Sequence, residues 1–141
     1  MKKMNNKGFS LVELIVVIAI MAVLIGVLAP QFIKYVEKSR ESTDIQNLDT
    51  CVSAVRTYYA DKDMATNVTI SVSGGVFVAS DAPSGGQSPA LVDAGCASSN
   101  LKSSKWTTAL QAVVQTDGKV VYTGEADHYK NKTDNSGFDA K

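Results

Sequence analysis

Histidine and tryptophan each occur once in the 141 residues, cysteine twice and proline three times. No H-E-x-x-H, G-x-S-x-G, C-x-x-C or Gly-rich phosphate loop is present, so the familiar signatures of metal, nucleophile and nucleotide chemistry are missing. The chain is therefore read as a non-enzyme with no cofactor and no metal site. His128 stands in a polar tail and reads as a surface residue. Asp61 and Asp63, or Asp127, Asp134 and Asp139, have the chemistry to hold calcium, but no loop pattern organises them and solvated acids are the simpler reading. A basic excess is lacking too, with 14 Lys and Arg against 14 Asp and Glu. Without a basic stripe interleaved with aromatics, the isolated chain is not read as a nucleic-acid binder.

What is present is concentrated at one end. From Leu14 to Ala29 no residue is charged or carries a strong hydrogen-bonding side chain, and beyond Pro30 the sequence turns mixed and polar. The segment before this run, MKKMNNKG, holds three lysines and no acid. By the positive-inside bias, Lys2, Lys3 and Lys7 keep that end in the cytoplasm and send the remainder outward. Phe9 to Phe32 spans about 36 Å as a helix, enough for a hydrocarbon core of ~30 Å. Three readings compete. A secretory signal peptide would have a shorter apolar stretch, and the only small-residue exit, Val27-Leu28-Ala29, runs into Pro30. A plain single-span anchor fits the length but leaves Glu13 unexplained.

Glu13 lies inside the apolar stretch, where a central carboxylate costs about 2.5–3.5 kcal/mol. Near the interface it would reach water and cost less. It also lies four residues after Phe9, one helical turn away. Cleavage between Gly8 and Phe9 would place a cationic amine beside this acid. In a bundle of such helices, the amine of one copy and Glu13 of the same or another copy would neutralise each other and set the register. That is the third reading.

The residues carrying it, Lys7-Gly8-Phe9-Ser10-Leu11-Val12-Glu13-Leu14-Ile15 followed by Pro30, Gln31 and Phe32, resemble the class III signal of type IV prepilins and pseudopilins. The resemblance is close over residues 7–32 and only architectural beyond residue 40. It implies a membrane prepilin peptidase that cuts after Gly8 and methylates the amine of Phe9, with Glu13 as the assembly carboxylate. Cleavage would leave 11 basic and 14 acidic side chains. Proline has no N–H, so Pro30 leaves the carbonyl of Gly26 without its helical bond, and both residues weaken one turn. This reads either as a tolerated kink or, as the resemblance implies, as a stretch that unwinds when the subunit passes from bilayer to filament.

After Pro30, Ile45, Leu48, Val52, Val55 and Tyr59 recur at spacings of three and four, which predicts an amphipathic helix to about Asp61. The charges at Lys34, Glu37, Lys38, Arg40, Glu41 and Asp44 read mostly as a solvated face, with Arg40 and Asp44 spaced to pair. Val68 to Val72 alternates, and Gly74-Gly75 turns the chain into Val76-Phe77-Val78. Leu110–Thr116 and Lys119–Thr123 flank Asp117-Gly118, the signal of a two-residue type I′ turn. Between the hairpins, Ser88 as cap, Pro89 as first residue and Gly95 as stop predict a short helix. An antiparallel sheet covering the helical stripe gives an α+β lollipop. Its parts are a leader at 1–8, a membrane and assembly helix at 9–33, an amphipathic half-helix at 34–63 and a β-rich body at 64–141.

Cys51 falls on the apolar stripe and Cys96 follows the short helix. In an oxidising exterior a bond between them would staple a small body, and two buried thiols are the alternative. Asn67-Val68-Thr69 and Asn131-Lys132-Thr133 match glycosylation sequons, a pattern too short to weigh.

Together these features predict a structural subunit of a type IV pilus, serving adhesion, twitching motility or DNA uptake. Its expected partners are copies of itself, the prepilin peptidase and methyltransferase, the inner-membrane assembly platform and, before assembly, membrane lipid. DNA or a host surface would be met only through the filament. The expected location is single-pass in the membrane, then the outer surface of a bacterial cell. Two alternatives stay open, a pseudopilin of a type II secretion or competence system and a membrane-anchored surface protein that never polymerises.

Overall fold

The computed structural model describes residues 8–84, 86–98, 100–106 and 110–131. They form one long helix, α1 (Leu11–Tyr58), then β1 (Val68–Ser73), β2 (Val76–Ala79), α2 (Pro89–Asp93), β3 (Leu110–Val114), β4 (Val120–Gly124) and α3 (Glu125–Asn131). A single 3-10 turn covers Cys96–Ser98. The chain divides into two compact units, the first ending at Val36 and the second running from Glu37.

In the second unit the strands make one antiparallel sheet in the order β2-β1-β3-β4. Alternation decides its faces. Val68 and Ile70 of β1, Phe77 and Ala79 of β2, and Leu110, Ala112 and Val114 of β3 are buried, while their neighbours lie nearer solvent. The buried set of α1 comprises Ile45, Leu48, Cys51, Val52 and Val55, the helical stripe expected from the sequence, and it shares one core with the sheet. Each such side chain contributes about 1.5–3 kcal/mol by leaving water. The fold is thus α+β, with a helix laid on a four-stranded antiparallel sheet.

Four details differ from the sequence reading. The helix α1 ends at Tyr58, not near Asp61; Tyr59 N–H still donates to Val55 O at 3.1 Å, but Ala60 N–H donates to Thr57 O at 3.2 Å, the tighter bonding of a closing turn. The β3–β4 connection is a three-residue loop, not a two-residue turn. Gly118 N–H donates to Gln115 O at 2.8 Å, Gln115 N–H donates to Lys119 O at 2.8 Å, and Gly118 takes φ 80° as a left-handed bulge residue. The helix α3 is additional. Its signal is weak, seven residues with Ala126 as the buried apolar anchor beside half-buried Tyr129. Finally, Asp44 does not pair with Arg40, which instead reaches Glu37 at 3.5 Å.

The short helix α2 forms as expected. Ser88 caps it by accepting from Leu91 N–H at 3.4 Å, Pro89 opens it, and Gly95 follows at φ 70°.

Candidate functional site

In the first unit the described chain begins with Gly8 and Phe9, and α1 opens immediately after Ser10. The Ser10 carbonyl accepts the first helical bond from Leu14 N–H at 3.3 Å. Glu13 turns back so that its Oε2 accepts from Ser10 N–H at 3.1 Å. This is the return arm of a capping box, in which a Glu at the third helical position satisfies a donor at the helix start. The carboxylate also sits where the helix dipole favours negative charge. Glu13 is therefore held toward the end of the chain that carries Phe9. The S-x-x-E spacing of Ser10 and Glu13 carries this capping signal, which the charge argument alone overlooks.

The rest of this unit is apolar and uncovered. Phe9 is 91% exposed, and Leu14, Ile18, Leu24, Leu28 and Phe32 are all more than half exposed. None of the most apolar 18-residue window is buried, and the helix is long and apolar enough to cross a membrane. An apolar surface of this extent is far larger than a water-exposed monomer ordinarily carries. The two glycines add a second observation. A Cβ placed at Gly8 or Gly26 would meet nothing within 4 Å, and neither position has the left-handed φ that would demand glycine. Among the described residues, nothing in the packing calls for glycine at either place. Helix α1 continues through Pro30, which lies within it.

In the second unit the polar side chains tie loops to the helix. Asp44, fully buried, accepts from Lys102 N–H at 2.7 Å, Ser103 N–H at 2.8 Å and Trp106 Nε1–H at 2.8 Å. Glu37 Oε1 accepts from Ser103 Oγ at 2.5 Å. One turn and a half beyond Asp44, Asp49 accepts from Tyr122 Oη at 2.7 Å and pairs with Lys130. Burial and the Asp49 carboxylate push the Tyr122 phenol up to about 12. Tyr59 donates to Asp81 at 3.0 Å, and burial with that acid raises its phenol too. These acids hold the fold together, so the acidic face of α1 between residues 37 and 49 is largely structural rather than solvated.

Cys51 and Cys96 are both buried as free thiols in one core, and burial together with the neighbouring Cys96 side chain raises the Cys51 thiol. Among the described residues no group of three or more potential metal ligands converges. Asp134 and Asp139 lie outside the described residues, as does the side chain of His128. Asn67 of the first sequon uses Oδ1 to accept from Thr116 N–H at 3.1 Å.

Known proteins resemble parts of this sequence. The prokaryotic N-terminal methylation motif matches residues 3–29. The chain is 36% identical over 59 residues to the type IV major pilin protein PilA of Myxococcus xanthus, covering 42% of this chain and 27% of that protein. It is 35% identical over 57 residues to the type IV narrow pilus major component PilA5 of Thermus thermophilus, covering 40% and 46%. To the prepilin peptidase-dependent protein A of Clostridium perfringens it is 37% identical over 68 residues, covering 48% and 49%. The chain thus spans between about a quarter and a half of the length of these relatives. No solved structure matches it. The motif and the uncovered apolar helix make this chain similar to type IV pilins that carry a prepilin signal. Within that class its relatives carry the names of pilus components.

Proposed function

We propose that this chain is a precursor cut between Gly8 and Phe9, methylated on the Phe9 amine, and polymerised through residues 9–33 into a type IV pilus. The prepilin peptidase and methyltransferase would perform the first two steps and an inner-membrane assembly platform the third. The single observation that carries the reading is Glu13, the one acid in an apolar helix with no cover of its own, held by its capping bond toward Phe9. In lipid, the uncovered side chains of residues 9–33 are satisfied. In a filament, the same side chains pack against other copies, and the positive amine at Phe9 offers Glu13 a counter-charge in a medium where an unpaired charge is penalised. Glycine at position 8, for which the chain's own packing has no use, fits a requirement set by the enzyme that cuts there.

Adhesion, twitching motility and DNA uptake are the roles such a fibre would serve, outside the cell. The names of the relatives, major pilin and major pilus component, favour a surface pilus over a secretion pseudopilin.

The test is the mature N-terminus, read by mass spectrometry on protein recovered from cells that make it. The expected result is a chain starting at Phe9 and heavier by one methyl group. A chain that keeps Met1 to Gly8 in sheared surface material would overturn the reading and leave a membrane tether.

A further inference from the structure

The connection from β2 to β3 runs from Ala79 to Leu110 and, among its described residues, has only the five residues of α2 and one 3-10 turn as regular structure. Connections this long are uncommon in compact domains unless something ties them down. Asp44 of α1 ties its second half through Lys102, Ser103 and Trp106. Leu101 N–H donates to Gly75 O at 2.9 Å, and Asn100 bridges to Val76. The first half is tied differently. Ala90 and Leu91 are buried in the core, and Cys96, 3% exposed, opens the 3-10 turn in the same core as Cys51 of α1, which is 0% exposed.

From this juxtaposition we infer that Cys51 and Cys96 are a disulfide-forming pair that fastens the β2–β3 connection to α1. The chain places its only two thiols, both buried, within one core, where Cys96 is the neighbour that raises the Cys51 thiol. Two positions chosen for packing alone would have no reason to bring them together, since alanine or valine fills such space equally well. The step needs an oxidant of the disulfide class, either a protein dithiol oxidase in its oxidised form or a small-molecule disulfide. One cysteine thiolate attacks the oxidant's S–S bond, which breaks, and a mixed disulfide forms as the first oxidant thiol leaves. The other cysteine then attacks the sulfur of its partner, the Cys51–Cys96 bond forms, and the second oxidant thiol leaves. Two electrons pass to the oxidant, and both protons finish on its thiols.

Burial fixes when this happens. The core holds Cys51 well above the usual thiol range, so the folded, reduced protein presents little thiolate to an oxidant. The bond therefore closes as the body folds. Closure in the cell rests on the reading that this body faces an oxidising exterior; the pairing itself does not.

The experiment uses the full chain in detergent, reduced, denatured and refolded in a mixture of oxidised and reduced glutathione. It is then denatured without reductant and alkylated. The expected product is a monomer lighter by the two thiol hydrogens, carrying no alkyl label. Cys96→Ser should instead leave Cys51 as a labelled thiol or a glutathione adduct, and reductant should lower the Tm of the oxidised wild type by about 10 °C or more. Two labelled thiols, two glutathione adducts or a cysteine-linked dimer from wild type would overturn the pairing. Protein taken from cells separates the two premises. An intramolecular bond in refolded protein with free thiols in cell-made protein sustains the pair and contradicts the exterior location.

Discussion

At the scale of single side chains, Asp44 shows how much one acid can organise. Its carboxylate receives two backbone N–H groups and an indole N–H inside the protein, where water cannot replace it. Removing it strands three donors, each worth about 1–3 kcal/mol when buried and unpaired. Asp44→Ala should therefore destabilise the body by about 3 kcal/mol or more in urea unfolding, and Asp44→Asn, which keeps one acceptor oxygen, by less. A loss below about 1 kcal/mol would show that the loop at residues 100–106 does not depend on this acid. The alkaline limb of stability reports a second residue. Tyr122 is raised in the folded protein to about 12 from its ordinary value of 10, by burial and by the Asp49 carboxylate. Above pH 10 the unfolded chain loses this phenolic proton while the folded one keeps it, so stability falls as pH rises from 10 to about 12. Tyr122→Phe should be less stable than wild type at pH 8 but flatter between pH 10 and 12. Parallel pH curves for the two proteins would contradict this.

At the scale of elements, most of the fold was legible in the sequence, and the exceptions have physical causes. The stripe from Ile45 to Val55, the alternation in Val68–Val72 and the cap, proline and glycine around α2 are local patterns, and local patterns survive translation into structure. The helix α3 escaped notice because packing on β4, more than any periodicity of its own, gives it a reason to form. Asp44 was misassigned to Arg40 because i,i+4 spacing is visible in a sequence, whereas an indole 62 positions away is not. The Asp117-Gly118 signal located its hairpin correctly, yet one left-handed glycine suits a bulge as well as a two-residue turn. Gly26 and Pro30 bear on function at this same scale. Both lie in α1, and glycine and proline together weaken that turn by several kcal/mol relative to alanine. Gly26→Ala with Pro30→Ala should leave the membrane-inserted helix intact by circular dichroism while reducing filament yield or extensibility. Filaments with unchanged abundance and stretch would remove any unwinding role for these residues.

At the scale of the whole molecule, the two units have opposite needs. The described residues between 37 and 131 bury a helical stripe against a sheet and tie acids of the helix, Asp44 and Asp49, to donors of their own body. Among the described residues, 9–33 satisfy nothing internally except the helix backbone and one cap, and the function proposed above gives them lipid or copies of the same chain as surroundings. The N-terminal half of this account was legible because the methylation motif is a short contiguous signal. What the body binds was not, since its surface carries no comparable local pattern. The decisive comparison separates the two roles of Glu13. Glutamine at this position keeps an oxygen for the Ser10 N–H, as capping boxes allow, but carries no charge for the Phe9 amine. In cells whose only copy is Glu13→Gln, the account predicts normal accumulation and cleavage of the subunit but filament yield reduced at least tenfold, a coupling of about 1.4 kcal/mol. Wild-type filament numbers from that variant would contradict it.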